Sequence, residues 1–215
     1  MSALRSPASG PVRIEVRGVA RRDDFTLPLD VAIGDERTAV IGPNGVGKTT
    51  LLRLIAGLER LESGQLTIDG RVVDDAGSVF TAAHQRSVAV AFQDHRLFGH
   101  LRVVDNVAYP LRRAGLNRNT ARARAAGYLT AVGLSEVAMV RPAQLSGGQR
   151  QRASIARALA TPAQVLLLDE PLASVDDQSR EALRDLLIST EHRTVVWVTH
   201  DPNDAKYANS TLTLS

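Results

Sequence analysis

Alternating and continuous apolar stretches along the chain predict an α/β protein. Residues 12–16 and 25–31 alternate apolar and polar side chains, which predicts two half-exposed strands that pair as a hairpin. Short, uninterrupted apolar runs at 38–41, 165–168 and 194–199 are typical of parallel strands that are buried on both faces. We therefore expect a mostly parallel sheet and a separate antiparallel β portion.

Turn-forming residues divide the remaining strand segments. Asp69-Gly70 is a strong turn dipeptide, and it predicts a hairpin between strands at 65–68 and 71–73. Residues 21–24 are predicted to form a turn, and Pro28 is expected at the edge of a sheet because proline cannot donate a ladder hydrogen bond. Apolar residues predict a strand at 86–92 that ends at Gln93 and an edge strand at 211–214.

Helical spacing of apolar residues appears in three places. Leu51, Leu54 and Ile55 predict a helix that ends at Gly57, and residues 181–188 predict a second helix that Asp176 or Asp177 could cap. Residues 94–160 are rich in Ala, Arg and Leu and have no strand pattern, so we predict an inserted helical subdomain there. Within it, Pro110 is expected to interrupt the helix that begins near Asp105.

Composition narrows the class of protein. The chain has 215 residues, which suits one domain, and it contains no cysteine, which excludes disulfides and thiolate metal sites. No apolar run approaches the length of a membrane span, so any membrane role is expected to go through a partner. Residues 1–11 are predicted to be a loose leader. An arginine cluster is interpreted as a solvated helical face, and no nucleic-acid partner is expected; its members are Arg112, Arg113, Arg118, Arg122 and Arg124.

The clearest chemical motif lies between the predicted strand at 38–41 and the helix that follows it. It matches the phosphate-binding pattern G-x-x-x-x-G-K-[ST], in which backbone N–H groups and a helix N-terminus surround phosphate oxygens. Lys48 is expected to reach the β- and γ-phosphates and Thr49 to hold Mg²⁺. The predicted nucleotide-binding residues are Gly42, Pro43, Asn44, Gly45, Val46, Gly47, Lys48, Thr49 and Thr50.

Two acids end the apolar run at 165–168. Ligands of parallel sheets bind at the carboxyl ends of the strands, which is the edge where the phosphate loop also begins. Asp169 is therefore predicted to hold Mg²⁺, and Glu170 to orient and deprotonate the attacking water. Without the phosphate loop, two solvated acids at a strand end would be the simpler interpretation.

A second helix start stands at Ser146. Ser146 and Gln149 have the spacing of a capping box, and Gly147 and Gly148 lie between them. Such a helix N-terminus can bind an anion, although from the residues alone an ordinary capped helix is the simpler interpretation.

The segment Leu145-Ser146-Gly147-Gly148-Gln149, followed by Arg150-Gln151-Arg152, resembles the signature sequence of ATP-binding cassette (ABC) ATPases. The family's other motifs occur in the family's order: a glutamine loop at Gln93, a Walker B strand at 164–171, a D-loop at 173–176 that includes Asp176, and a switch histidine at His200. The resemblance extends from Val12 to about Ala208.

This resemblance implies a single ABC ATPase domain over 1–215. Residues 1–93 and 161–215 would form a P-loop NTPase (RecA-like) core together with a β subdomain, and residues 94–160 a helical subdomain. It implies a head-to-tail homodimer that needs ATP and Mg²⁺, in which ATP lies between the phosphate loop of one copy and the signature of the other. Gln93 would contact Mg²⁺ and the attacking water, and His200 would contact the γ-phosphate.

The resemblance also implies a transport role at the cytoplasmic face of the membrane, through permease subunits. Residues 167–173 resemble the importer form, which implies a solute-binding protein as a further partner, and residues 68–75 and 92–98 look closest to molybdate-type importers. A thiamine or other small-solute importer, an exporter and a soluble non-transport ABC ATPase are the alternatives. The family's adenine-stacking aromatic is missing near Val19, so adenine is expected to meet Val19 or the stem of Arg21 or Arg22.

Overall fold

The structure is a computed structural model that describes residues 12–22, 25–34, 36–173, 175–190 and 193–215. The predicted leader at 1–11 lies outside these residues. The described chain divides into two compact units, one made of residues 12–88 and 193–215 and the other of residues 89–190. In chain order the elements are β1 (Val12–Arg22), β2 (Phe25–Gly34), β3 (Arg37–Ile41), α1 (Lys48–Ala56), β4 (Leu61–Ile68), β5 (Arg71–Asp74), β6 (Val88–Ala91), α2 (Val103–Arg113), α3 (Arg118–Ala131), α4 (Gly147–Ala160), β7 (Val165–Asp169), α5 (Asp177–Ile188), β8 (Thr194–Val198), α6 (Pro202–Ala205) and β9 (Ser210–Thr213).

The first unit contains an antiparallel sheet with the strand order β2-β1-β4-β5. The predicted hairpin of β1 with β2 is confirmed, and Pro28 lies on β2 at the edge of the sheet. Between β4 and β5 the turn residues Asp69 and Gly70 both have positive φ, 53° and 71°, as the predicted tight turn requires. Alternate residues of β1, among them Ile14 and Val16, are fully buried.

The same unit contains parallel strands. β3 pairs in parallel with both β8 and β9, and all five residues of β8 are buried. α1 follows β3 and buries Leu51, Leu54 and Ile55, and it ends at Gly57 in the left-handed conformation, as predicted.

The second unit is mainly helical. β6 and β7 are neighbouring strands, and every residue of β7 is buried. Residues 94–160, all of which the structure describes, form helices and turns without a strand, and they lie wholly in this unit. The carboxylate of Asp105 on α2 accepts two hydrogen bonds from Arg122 on α3, at 2.6 and 2.7 Å. The subdomain boundaries at 94 and 160 stay a prediction.

Three sequence-based expectations about boundaries were wrong. Arg21 and Arg22 belong to β1 and not to a turn, because they pair with Thr26 and Phe25 of β2; the other two turn residues lie outside the described part. β6 begins at Val88 because Arg86 turns inward, with its guanidinium bonded to main-chain carbonyls. α2 continues through Pro110, since hydrogen bonds from Asn106 to Arg102 and from Ala114 to Pro110 maintain the helix on both sides of it.

Candidate functional site

The phosphate loop joins the carboxyl end of β3 to the first turn of α1. The Lys48 side chain, only 7% exposed, folds back over this loop, and its Nζ donates to the carbonyl oxygens of Gly42 and Pro43, each at 2.8 Å. The first turn of α1 contains no acidic residue, so the partial positive charge of the helix N-terminus is not neutralised there. The loop thus offers a lysine ammonium and main-chain N–H groups to an anion.

Two glycines of the loop are required by its shape. Gly42 has φ 152°, and a Cβ built there would come within 2.4 Å of the Leu214 carbonyl oxygen. Gly47 has φ 104° and caps α1, and a Cβ there would come within 2.6 Å of the Leu27 side chain. A larger residue at Gly42 would therefore displace the main chain, and one at Gly47 would strain the left-handed conformation and press on the Leu27 side chain.

His200 lies on the same edge of the parallel sheet as the phosphate loop. Val40 of β3 and Val198 of β8 are register partners, and the Thr199 N–H donates to the Val40 carbonyl at 3.1 Å. Because the strands are parallel, the residues that follow them, Gly42 and His200, leave the sheet at the same edge. The His200 side chain is exposed there.

Asp169 and Glu170 belong to the second unit, at the end of β7. Asp169 is 3% exposed, and Glu170 is partly exposed. Glu170 has a positive φ of 52°, which is unusual for a residue with a side chain. Its carbonyl oxygen accepts a hydrogen bond of 3.2 Å from Nε2 of Gln151 on α4.

Gln93 is exposed and begins a tight turn after β6. His95 and Arg96, two and three residues after Gln93, have φ of 59° and 44°, so two consecutive side-chain-bearing residues are left-handed. Ser154 Oγ donates to the His95 carbonyl at 3.0 Å, and Arg157 Nη1 donates to the Arg96 carbonyl at 2.7 Å. Burial lowers the pKa of the His95 imidazole, and a hydrogen bond with the Gln151 side chain opposes that shift.

The signature residues form the capped start of α4, as predicted. Ser146 Oγ accepts from the Gln149 N–H at 3.2 Å, and Gln149 Oε1 accepts from the Ser146 N–H at 2.9 Å. Leu145 is buried, and its carbonyl accepts from Arg150 Nη1. Ser146 is exposed, and a Cβ built on Gly147 would meet no atom within 4 Å, so this helix start is open to a ligand or partner.

Asp176, in the D-loop segment, caps α5. The sequence left that cap open between Asp176 and Asp177, and in the structure it is Asp176. Its Oδ1 accepts from the Ser179 N–H at 2.9 Å, and that main-chain hydrogen bond lowers the pKa of the Asp176 carboxyl. The neighbouring Ser174 lies outside the described residues.

Sequence reasoning missed two groups of polar residues around these motifs. Gln151, 2% exposed, joins α4 to Glu170, and Asn106, fully buried, accepts from the Phe98 N–H and donates to the Phe98 carbonyl. Asn106 is a polar residue beside the apolar positions of its helix, which is its one sequence signal, whereas Gln151 stands between Arg150 and Arg152 and has no such signal. Among the described residues, no three or more His, Asp or Glu side chains lie close enough together to hold a metal ion by themselves. Nor is any helix of the described part long and apolar enough to cross a membrane.

Known proteins resemble this chain in sequence. The Fe(3+) ions import ATP-binding protein FbpC 1 of Rhizobium meliloti (strain 1021) is 44% identical over 187 residues, which cover 84% of this chain and 52% of that protein. The spermidine/putrescine import ATP-binding protein PotA of Thermotoga maritima is 42% identical over 190 residues, 85% of this chain and 50% of that protein. The chain thus spans about half the length of these curated relatives.

The fold has solved counterparts. A dimeric structure of a post-hydrolysis state of the ATP-binding cassette MJ0796, bound to ADP and Pi, superimposes with a TM-score of 0.82 at 28% identity, and the match covers 94% of each chain. A second dimeric structure of the same bacterial ABC transporter cassette gives the same TM-score. The family model described as ABC transporter matches residues 29–173, and the chain therefore belongs to the ABC transporter family.

Proposed function

We propose that this chain is the ATP-binding and ATP-hydrolysing subunit of an ABC importer. The observation that carries the proposal is the phosphate loop, where Lys48 lies against the carbonyls of Gly42 and Pro43 at the start of α1. A loop held in this shape can accept the phosphate groups of ATP without first rearranging its main chain.

Each predicted residue has a role that suits its position. Residues 42–50 bind the phosphates, and the Thr49 hydroxyl and the Asp169 carboxylate, with Gln93, would hold Mg²⁺ together with phosphate oxygens. That arrangement suits Mg²⁺, which usually keeps few protein ligands. Glu170 deprotonates the attacking water, and His200 contacts the γ-phosphate from the edge of the sheet that it shares with the phosphate loop.

A second copy of the chain would complete the site. Leu145, Ser146, Gly147, Gly148 and Gln149 offer their helix start to the γ-phosphate bound on the other copy, and Asp176 lies at the start of α5. The dimeric assembly of the ADP- and Pi-bound cassette MJ0796 supports this arrangement. ATP then acts as the ligand that joins two copies head to tail.

The relatives favour import over the exporter and soluble alternatives, because their names describe import of Fe(3+) ions and of spermidine/putrescine. We propose permease subunits and a solute-binding protein as partners, and the cytoplasmic face of the membrane as the location. None of the relatives named here acts on molybdate, so that part of the expectation gains no support from them. Fe(3+), a polyamine, molybdate and thiamine are the solutes to test.

Lys48→Ala tests the assignment of the phosphate loop, and Lys206→Ala is its matched control. Lys48 and Lys206 are the chain's two lysines, and Lys206 is exposed, with its Nζ bonded to Asn203. We expect Lys48→Ala to abolish ATP binding measured by equilibrium fluorescence of a labelled nucleotide, and Lys206→Ala to leave it unchanged. ATP affinity that survived in Lys48→Ala would refute the assignment of the loop.

The transport role needs a separate experiment. ATPase activity would be measured with the permease encoded beside this chain, reconstituted in membranes with its binding protein and each candidate solute. Stimulation by one solute supports an importer, and a genomic neighbourhood of DNA-repair or translation genes would favour the soluble alternative.

A further inference from the structure

Glu170 adopts a main-chain conformation that needs support from its surroundings. A left-handed φ of 52° disfavours a residue with a side chain by about 1–2 kcal/mol. The peptide that follows it accepts a hydrogen bond from Gln151 Nε2 at 3.2 Å. Because φ and ψ set the direction of the Cα–Cβ bond, whatever holds this peptide also aims the Glu170 carboxylate.

Gln151 is well placed to hold that peptide rigidly. It is 2% exposed, and it lies in the second turn of α4, two and three residues before the buried Ala153 and Ser154. Side chains in a close-packed interior have little room to rotate, so this buried amide provides a fixed donor.

The same face of α4 holds the turn that follows Gln93. Gln151, Ser154 and Arg157 are spaced three residues apart, so they project from neighbouring turns of one helix face. Ser154 and Arg157 both donate to the His95 carbonyl, at 3.0 and 3.1 Å, and Arg157 also donates to the Arg96 carbonyl. These bonds stabilise the two left-handed residues of that turn.

We propose that Gln151 is a positioning residue for Glu170, acting through the Glu170 main-chain carbonyl, and that α4 thereby links the turn after Gln93 to the end of β7. The proposal rests on the proposed function, in which Glu170 is the general base. In this proposal α4, whose start Ser146 caps, does more than present the signature residues. A displacement of α4 also moves the side chain that donates to the Glu170 carbonyl.

Loss of this donor has a specific kinetic consequence. The Glu170 carbonyl would keep the 3.3 Å hydrogen bond from the Ala173 N–H but lose its bond to α4, so the peptide and the carboxylate would be held less firmly in the direction of the attacking water. The residues proposed to bind phosphate on the same copy lie at 42–50, and Gln151 is not one of the residues 145–149 proposed to contact the other copy's γ-phosphate, so nucleotide affinity should depend little on Gln151. We therefore expect kcat to fall about 10–100-fold while the Kd for ATP changes less than about twofold.

The experiment compares two variants of Gln151 with a matched control. Gln151→Met keeps the length of the side chain and removes the donor, and Gln151→Asn keeps the amide but is too short to reach. Gln65→Met makes the same replacement at an exposed position of β4 and should behave as wild type. Each purified chain would be assayed for ATP turnover, ATP affinity and melting temperature, with Glu170→Gln as the reference for loss of the base.

A direct probe of the hydrogen bond is available because Glu170-Pro171 is the only Glu-Pro step in the sequence. Labelling glutamate carbonyls with ¹³C and proline nitrogen with ¹⁵N selects a single NMR signal, that of the Glu170 carbonyl. We expect this carbonyl shift to move in Gln151→Met and Gln151→Asn and to stay at its wild-type position in Gln65→Met.

The outcomes separate the two levels of inference. A Glu170 carbonyl shift that does not move in either Gln151 variant overturns the proposal, whatever the kinetics. A shift that moves while kcat is retained, in a protein where Glu170→Gln is inactive, also overturns it, because the bond would then have no positioning effect. If Glu170→Gln hydrolyses ATP normally, the general-base assignment fails instead, and the carbonyl shift still decides whether Gln151 holds Glu170.

Discussion

Replacement of Arg86 tests which contacts stabilise the first unit. Arg86 is 7% exposed. Its side chain donates to four main-chain carbonyls: Leu54 and Ile55 at the end of α1, Val73 on β5, and Thr81. The distances range from 2.6 to 3.2 Å. Arg86 therefore supplies donors to the last carbonyls of the helix whose first turn carries Lys48.

The effect of Arg86→Met can be estimated from these bonds. Hydrogen bonds to a charged group contribute about 1.5–3 kcal/mol each. The Leu54 and Val73 carbonyls also accept from the main-chain N–H groups of Gly57 and Thr81, at 3.0 and 2.8 Å, so the cost of about 1–3 kcal/mol for a buried carbonyl left without a donor applies at most to the other two. These terms do not add fully, and removing the buried charge recovers part of its desolvation cost; burial is also the main cause that lowers the pKa of Arg86. We expect a net loss of about 3–5 kcal/mol of unfolding free energy.

Trp197 provides the assay. It is the chain's single tryptophan, it is 3% exposed in β8, and it belongs to the same unit as Arg86. With a slope of about 2 kcal/mol per molar urea, the expected loss lowers the unfolding midpoint in tryptophan fluorescence by about 2 M. Arg71→Met, at an exposed position of β5, is the matched control and should change the unfolding free energy by less than about 0.5 kcal/mol.

A specific result would refute this reasoning. If Arg86→Met shifted the midpoint no further than Arg71→Met, the four carbonyls would be satisfied without the guanidinium, and Arg86 would not support the end of α1. Arg86→Lys distinguishes charge from geometry, because an ammonium cannot reach carbonyls on three segments at once. It should recover less than half of the loss.

Two further predictions concern the second unit. Glu170→Gln should leave ATP binding intact and trap an ATP-bound dimer, so sizing chromatography with ATP and Mg²⁺ that showed only monomer would count against the proposed mechanism. Asp105→Asn should cost about 1 kcal/mol at neutral pH, because the hydrogen bond from Arg122 lowers the pKa of Asp105 below its ordinary value of 3.8. A lowered pKa stabilises the fold above about pH 4, and this stabilisation is lost as the pH falls through the lowered pKa. The difference between wild type and variant, followed by urea unfolding with far-ultraviolet circular dichroism, should therefore vanish in acid, and a difference independent of pH would contradict the ion-pair explanation.

The parts of the fold that the sequence predicted well are those where a local pattern matches one physical cause. The apolar run in β7 is buried on both faces, and Asp69-Gly70 forms the tight turn, because burial and positive φ each have a direct signature in residue type. The capping box at Ser146 was predictable for the same reason, since its two hydrogen bonds join residues three apart.

Apart from Pro110, the misses involve partners that belong to a different helix, strand or loop. Arg21 looked like part of a turn, but it pairs with Thr26 and reaches Glu62 on β4 at 3.2 Å. Gln151 looked like one polar residue among several in the signature helix, and only the fold brings it to a carbonyl 19 residues further along the chain. Spacing along one helix or strand cannot reveal such contacts, because they depend on how separate elements pack.

The position of Pro28 has a consequence for association between copies. β2 is the edge of its sheet, and an open strand edge can pair with the edge of another molecule and begin aggregation. Pro28 carries no N–H, and Asp30 on the same strand places a charge nearby, so an incoming strand would lose a ladder hydrogen bond and meet a carboxylate. In a chain whose copies are proposed to meet through an ATP-filled interface, this protection of the β2 edge removes one competing way for the copies to associate.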